Sequence, residues 1–151
     1  MNFKKLNTLT GWIVFAIATS VYLMTMESTA SLWDCGEYIT AAYKLEVGHP
    51  PGAPLFMVLG RLFSFFAAPE SVALWINALS AISSSLTILF MFWSMSLLLK
   101  KLVINQKGEL GGTDGTMVIV ASAIAALAYT FSDSFWFSAV EGEVYAMASL
   151  F

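Results

Sequence analysis

Long uncharged apolar runs alternate with short polar segments along this chain. Leu9–Met26 and Val72–Leu99 hold no charged side chain, and Met117–Phe131 is a third such run that continues into Phe135-Trp136-Phe137. A bilayer core of about 30 Å is crossed by roughly 20 apolar residues rising about 1.5 Å each in a helix. The three runs therefore predict membrane-spanning helices. The second is long enough to tilt, and the third ends in aromatic residues of the kind that collect at the membrane surface. A fourth run, Val144–Phe151, predicts the start of a further span, so the chain reads as the N-terminal part of a longer polytopic protein. Lys4-Lys5, an apolar stretch and Ser28-Thr29-Ala30 imitate a cleaved leader. The apolar stretch exceeds the usual 7–15 residues, which favours a retained span.

Ala53–Ala68 is apolar but only 16 residues long, follows Pro50, Pro51 and Pro54, and carries Arg61 near its middle. Charge decides how it lies. If it does not cross, Lys4, Lys5, Lys100, Lys101 and Lys107, 5 of the 7 basic residues, share one side of the membrane, which the positive-inside rule makes the cytoplasm. Ala53–Ala68 is then an interfacial or re-entrant helix with Gly60, Arg61 and Ser64 on one face. The N-terminus is cytoplasmic, residues 27–71 form an outer loop, residues 100–115 an inner loop and residues 132–143 a second outer loop. Eight of the ten acidic residues (Glu27, Asp34, Glu37, Glu46, Glu70, Asp133, Glu141 and Glu143) collect on the outer face.

Composition agrees with a membrane protein. The chain is 58% hydrophobic and 11% charged, with mean hydropathy +0.76, where soluble domains average about 25% charged. A net charge of −3 without a basic patch excludes nucleic acid as a partner. One cysteine, Cys35, and one histidine, His49, exclude an internal disulfide and a Cys- or His-rich metal centre. The fold class is all-α and membrane-embedded, with no internal repeat.

Candidate chemistry lies in the first outer loop. Ser31-Leu-Trp-Asp-Cys-Gly-Glu-Tyr precedes Gly48-His-Pro-Pro-Gly-Ala-Pro. Ser31 suits a helix N-cap and Gly48-His49-Pro50 a helix end, so a helix over about residues 32–47 is expected. It puts Asp34 and Glu37 on one face, continued by Ala41 and Lys44, with Ile39, Ala42 and Tyr43 elsewhere. Two carboxylates beside an apolar surface suit acid–base work. Ser31-x-x-Asp34 also matches a capping box, in which Asp34 would only satisfy backbone amides. His49 is either a turn histidine or a phosphate donor or proton relay. Arg61 at membrane depth is expected to pair with Asp34, Glu37 or a lipid phosphate, or to snorkel to the interface. Glu141 and Glu143 either serve the dipole of the following helix or form the far wall of the same site. Ala73, Asn77, Ser80, Ser84, Thr87, Met91 and Ser94 make a small and polar helical stripe suited to close packing, with contact to a substrate the alternative reading of Asn77. Cys35 reads as a small packing residue.

Trp33-Asp34-Cys35-Gly36-Glu37, His49-Pro50-Pro51-Gly52-Ala53-Pro54-Leu55-Phe56, Gly60-Arg61-Leu62-Phe63, Asn77 and Val140-Glu141-Gly142-Glu143-Val144-Tyr145-Ala146 together resemble a bacterial membrane family of unknown function that has eukaryotic protein O-mannosyltransferase relatives. The resemblance covers most of the chain from Ser31 onward. It implies a type C glycosyltransferase fold, a catalytic first outer loop, and inverting transfer of a sugar, mannose-like, from a polyprenyl-phosphate carrier to a protein hydroxyl or glycan on the outer face of a bacterial inner membrane. An acceptor hydroxyl attacking an anomeric carbon needs a carboxylate to take its proton, and the departing phosphate needs donors. The implied roles are Asp34 as base with Glu37 as assistant or alternate, His49 and Arg61 on the lipid phosphate, and Glu141, Glu143 and Asn77 lining the site. Some relatives carry the two acids side by side. Here Cys35 and Gly36 separate them, which leaves the base open between Asp34 and Glu37. No cofactor is demanded, although carboxylates on one face could bind a divalent metal. The expected partners are the lipid-linked sugar, its acceptor and the bilayer. The competing classes are a transporter with an acidic vestibule, weakened by the absence of charge inside the spans, and a non-catalytic membrane scaffold.

Overall fold

A computed structural model describes residues 2–50 and 52–151. It is all-helical, with no strand among the described residues. The elements are α1 (Phe3–Thr25), α2 (Cys35–Lys44), α3 (Pro54–Ser64), a 3₁₀ turn (Pro69–Ser71), α4 (Val72–Lys107), α5 (Gly112–Thr130), α6 (Asp133–Val140) and α7 (Val144–Leu150). α1, α4 with its leading turn, and α5 are long and apolar enough to cross a membrane.

Each long helix outruns the apolar stretch that announces it. α1 begins at Phe3, where Asn2 caps it by accepting from the Lys4 amide at 3.1 Å. α4 continues through Lys100, Lys101 and Lys107 until Gly108 turns left-handed at φ 82°. Hydropathy marks only what sits in lipid; a helix continues into water wherever good helix formers follow. At about 1.5 Å per residue α4 is about 54 Å long, well beyond a bilayer core of about 30 Å. α5 stops at Thr130, and Phe135-Trp136-Phe137 belong to the separate short helix α6.

α4 is the spine. On one side Val14, Ala18 and Tyr22 of α1 meet Ala81, Ile88 and Phe92 of α4, with Ile119 and Ala126 of α5 and Phe135 and Ala139 of α6. In α1 the buried positions Gly11, Val14, Ala18 and Tyr22 recur every three or four residues and form one stripe. Gly11 lets the Trp93 indole lie directly on the helix backbone. On the other side α4 offers Val72, Ile76 and Leu79 to α2, α3 and α7.

α2 and α3 pack as a short hairpin against this second core. Cys35, Tyr38, Ile39, Ala41 and Ala42 are buried, so Ala41 turns inward while Tyr43 is exposed. α3 buries Phe56, Met57, Gly60 and Ser64 and leaves Leu55, Val58 and Leu62 outside. Gly60 and Ser64 face inward beside Phe56 and Met57, and the outward apolar side chains make a face that lipid can cover. Gly60 permits the close approach of the hairpin, since a Cβ there would lie 2.8 Å from the Ala42 Cβ.

One end of the bundle gathers both polar loops. The Tyr22 hydroxyl donates to the Thr130 carbonyl at 2.8 Å, and the Glu27 amide to the Val140 carbonyl at 2.9 Å. Asn77 Nδ2 donates to the carbonyls of Glu27 (2.7 Å) and Thr29 (3.1 Å). At the opposite end the Lys100 ammonium lies 5.0 Å from the Phe3 ring centroid, and Lys107 pairs with Asp114 at 2.8 Å.

Candidate functional site

α2 does not start as a capping box would have it. Trp33 adopts φ 65°, a left-handed conformation costly for a bulky side chain, and turns the chain just ahead of the helix. Asp34 occupies the N-cap position without a side-chain capping bond, and its carboxylate is therefore free to face outward. Ser31 instead donates to Glu141 Oε2 at 2.6 Å, tying the segment between α1 and α2 to that between α6 and α7.

The end of α2 also differs from expectation. Leu45, not Gly48, takes the left-handed position at φ 56°, and the Glu46 and Leu45 amides bond back to Ala41 (2.9 Å) and Ala42 (3.3 Å) in a Schellman-type closure. The following residues run back beside the helix, and His49 lands on Glu37. Glu37 Oε1 accepts from the His49 backbone amide at 2.7 Å and lies 3.1 Å from Nδ1. His49 Nε2 lies 3.9 Å from Asp34 Oδ2. The turn is closed by the Gly52 amide donating to the His49 carbonyl at 2.9 Å, and the Tyr38 ring supports the imidazole with centroids 5.6 Å apart.

The three side chains are open to solvent, 58% exposed for Asp34, 44% for Glu37 and 41% for His49, so a substrate can reach them. The His49 amide and ring donors hold the Glu37 carboxyl below its ordinary value. Glu143 approaches from the loop ahead of α7, where Ser80 of α4 bonds both its backbone amide and its carbonyl at 3.3 Å. Burial, then the charges of Asp34 and Glu141, raise the Glu143 carboxyl. Burial, then Glu143 and Asp34, raise the Tyr38 phenol. Asp34, Glu37, His49, Glu141 and Glu143 thus gather at one mouth of the bundle. Ligand atoms of Asp34, Glu37 and His49 lie within 4.8 Å of one another, close enough in principle to share a cation. The two hydrogen bonds from His49 already occupy the facing Glu37 oxygen.

Two expected site residues stand elsewhere. Arg61 pairs with neither Asp34 nor Glu37. Its guanidinium donates to the Tyr43 carbonyl at 2.6 Å and lies 5.2 Å and 4.8 Å from the Tyr43 and Phe65 ring centroids. Tyr43 is nine residues from Asp34 along α2, about 14 Å of helix. Arg61 instead satisfies the carbonyl end of α2 and sits among aromatic side chains. Asn77 is fully buried, with Oδ1 unpartnered beside Gly142, and it pins the 27–29 backbone rather than opening to a substrate. Sequence reasoning missed Tyr38 and Ser31, which only the fold brings to the cluster. Tyr38 was legible to the extent that it lies one helical turn from Asp34.

Architecture and site thus define an α-helical membrane protein with an acid–imidazole cluster at one bundle mouth. The sequence profile described as "Protein O-mannosyl-transferase TMEM260 N-terminal domain" matches residues 34–151, and the chain belongs to that family. It is 30% identical over 141 residues to "Protein O-mannosyl-transferase tmem260" of Dictyostelium discoideum, covering 92% of this chain and 15% of that protein. It is also 30% identical over 138 residues to "Protein O-mannosyl-transferase TMEM260" of Mus musculus, covering 91% of this chain and 17% of the mouse protein. The chain therefore spans about one-sixth of the length of these relatives, both of which are eukaryotic. No solved structure matches it.

Proposed function

We propose that this chain carries the acceptor side of a membrane mannosyltransferase site that moves a mannose-like sugar from a polyprenyl-phosphate donor to a protein hydroxyl, with inversion, on a type C glycosyltransferase scaffold. The observation that carries this reading is the exposed Asp34–Glu37–His49 cluster, held at a bundle mouth within the stretch shared with proteins named as O-mannosyltransferases. Asp34 is the base. Its carboxylate is solvent-exposed and free of a capping bond, whereas Glu37 is engaged by two His49 donors. As the acceptor oxygen closes on the anomeric carbon, its proton passes to Asp34 and the carbon–oxygen bond to phosphate breaks. Glu141 and Glu143 form the far wall. The cluster is rich in carboxylates, so donors for the departing phosphate lie outside it. Arg61, with its aromatic neighbours and the exposed apolar face of α3, anchors the hairpin at the membrane surface. The acidic mouth faces away from the cytoplasm.

The test is transfer of mannose from polyprenyl-phosphate mannose to a serine/threonine peptide by the full-length protein in membranes. Asp34→Asn should lower kcat by about 10²–10⁴-fold, the usual size of a general-base contribution, at unchanged membrane abundance. Unchanged transfer by that variant removes Asp34 from the role. A wild-type protein that transfers no sugar removes the reading altogether.

A further inference from the structure

Glu37 and His49 hold each other more tightly than a solvent-exposed pair needs. One carboxylate oxygen, Glu37 Oε1, faces two donors of one residue, the His49 amide at 2.7 Å and Nδ1 at 3.1 Å. A carboxylate only accepts, so the proton lies on Nδ1 and the lone pair of the neutral ring on Nε2. That nitrogen faces Asp34 Oδ2 at 3.9 Å. A carboxylate behind an imidazole, fixing its tautomer and favouring its protonated form, is the arrangement by which a histidine is made to accept a proton at its far nitrogen. The backbone is shaped for the contact. Gly48 passes so close that a Cβ there would lie 3.3 Å from Glu37 Oε1, and the His49–Gly52 turn holds the ring's own residue in place.

We propose that Glu37 orients His49 to receive from Asp34 the proton that Asp34 takes from the acceptor hydroxyl, returning Asp34 to its carboxylate form for the next turnover. The proposal rests on the transfer reaction above. The acceptor oxygen–carbon bond forms, the carbon–oxygen bond to phosphate breaks, and its electron pair leaves with the phosphate. The proton moves from the acceptor oxygen to Asp34, then to His49 Nε2, then to water. A contraction of about 1 Å, or one bridging water, makes the 3.9 Å gap a hydrogen bond. Asp34, Glu37 and Tyr38 face the ring from α2, and Glu143 acts on it from the loop ahead of α7. Glu37 and His49 are therefore positioning residues acting through Asp34.

The experiment pairs ¹⁵N-histidine NMR of the full-length protein in lipid nanodiscs, with His49→Gln to assign the signal, with the pH dependence of kcat. The Nδ1–H tautomer is expected. Glu37→Gln keeps an accepting oxygen but removes the charge and offers an amide donor beside it, so the preference for Nδ1–H should weaken. The acid limb of kcat should change with it while the plateau falls tenfold or more and the peptide KM stays put. His49→Gln should lower kcat similarly and abolish that limb. An Nε2–H tautomer, or a tautomer balance indifferent to Glu37→Gln, overturns the orientation whatever the reaction. Normal kcat in His49→Gln, or a fall with an unmoved pH profile, overturns the relay while leaving the transferase reading intact. Activity lost to a chelator and restored by Mn²⁺ overturns it in favour of a shared cation. Absence of transfer by the wild-type protein overturns the transferase reading, and the relay with it.

Discussion

Glu143 and Glu37 lie on the same acidic mouth yet titrate in opposite directions, because one is pressed into protein and the other is offered donors. Burial, reinforced by Asp34 and Glu141, raises the Glu143 carboxyl above its unfolded value. A raised group gives its full contribution to stability below the ordinary carboxyl range and loses it as pH climbs through the folded value. Glu143→Gln should therefore flatten the pH dependence of thermal stability. Melts in detergent from pH 4 to pH 8 should show the wild-type protein losing Tm relative to the variant as pH rises, and parallel curves would contradict this. Glu37 runs the other way: its stabilisation is present above the ordinary carboxyl range and lost as pH falls through its lowered value. The two acids were equally visible in the sequence as members of an outer-face acidic set. Their opposite characters were not, since they depend on where His49 returns and on how Ser80 fixes the Glu143 backbone. Asn77 is a similar case. Its place in the packing stripe was readable, but its two hydrogen bonds to residues 27 and 29 come from chain about 50 positions away.

At the scale of elements, α2 and α3 move the chemistry, and their contact turns on one glycine. With its Cβ position 2.8 Å from Ala42, Gly60 has no room for a side chain, and the nearby Ile76 and Ala42 are buried. Gly60→Val should cost about 1–3 kcal/mol through overpacking. It should lower the Tm in detergent and reduce transfer, because α2 carries Asp34 and Glu37. An unchanged melt would mean the hairpin can separate without penalty. Most helices were legible as helices, since uncharged runs and Pro54 at the first turn of α3 are direct signals, whereas α6 occupies a stretch that reads as an outer loop. The ends of α2 were not, because Trp33 and Leu45 take the left-handed backbone that sequence rules allot to glycine. That displacement matters for function: it releases Asp34 from capping and brings His49 over Glu37.

Across the whole molecule, the dominant feature is the separation of charge along the bundle axis. Lys4, Lys5, Lys100, Lys101 and Lys107 stand at the end where α1 begins and α4 finishes, and eight of the ten acids belong to the segments at the other end. Of the two acids at the basic end, Glu109 and Asp114, Asp114 is paired with Lys107. Orientation in a membrane follows Lys and Arg near the span ends far more than acids, so the prediction is that the basic end is retained in the cytoplasm and the acidic mouth meets the opposite compartment. That orientation would put the proposed transfer site on the same side as secreted or surface proteins. The expectation is checked with single cysteines on a Cys35→Ala background, chosen because Cys35 is buried. Val47→Cys, 93% exposed beside the site, should react with a membrane-impermeant maleimide in intact vesicles of native orientation. Glu109→Cys, in the loop between α4 and α5, should react only after permeabilisation. The reverse pattern would put the carboxylate cluster in the cytoplasm. It would separate the cluster from the proteins it is proposed to modify, whatever its geometry.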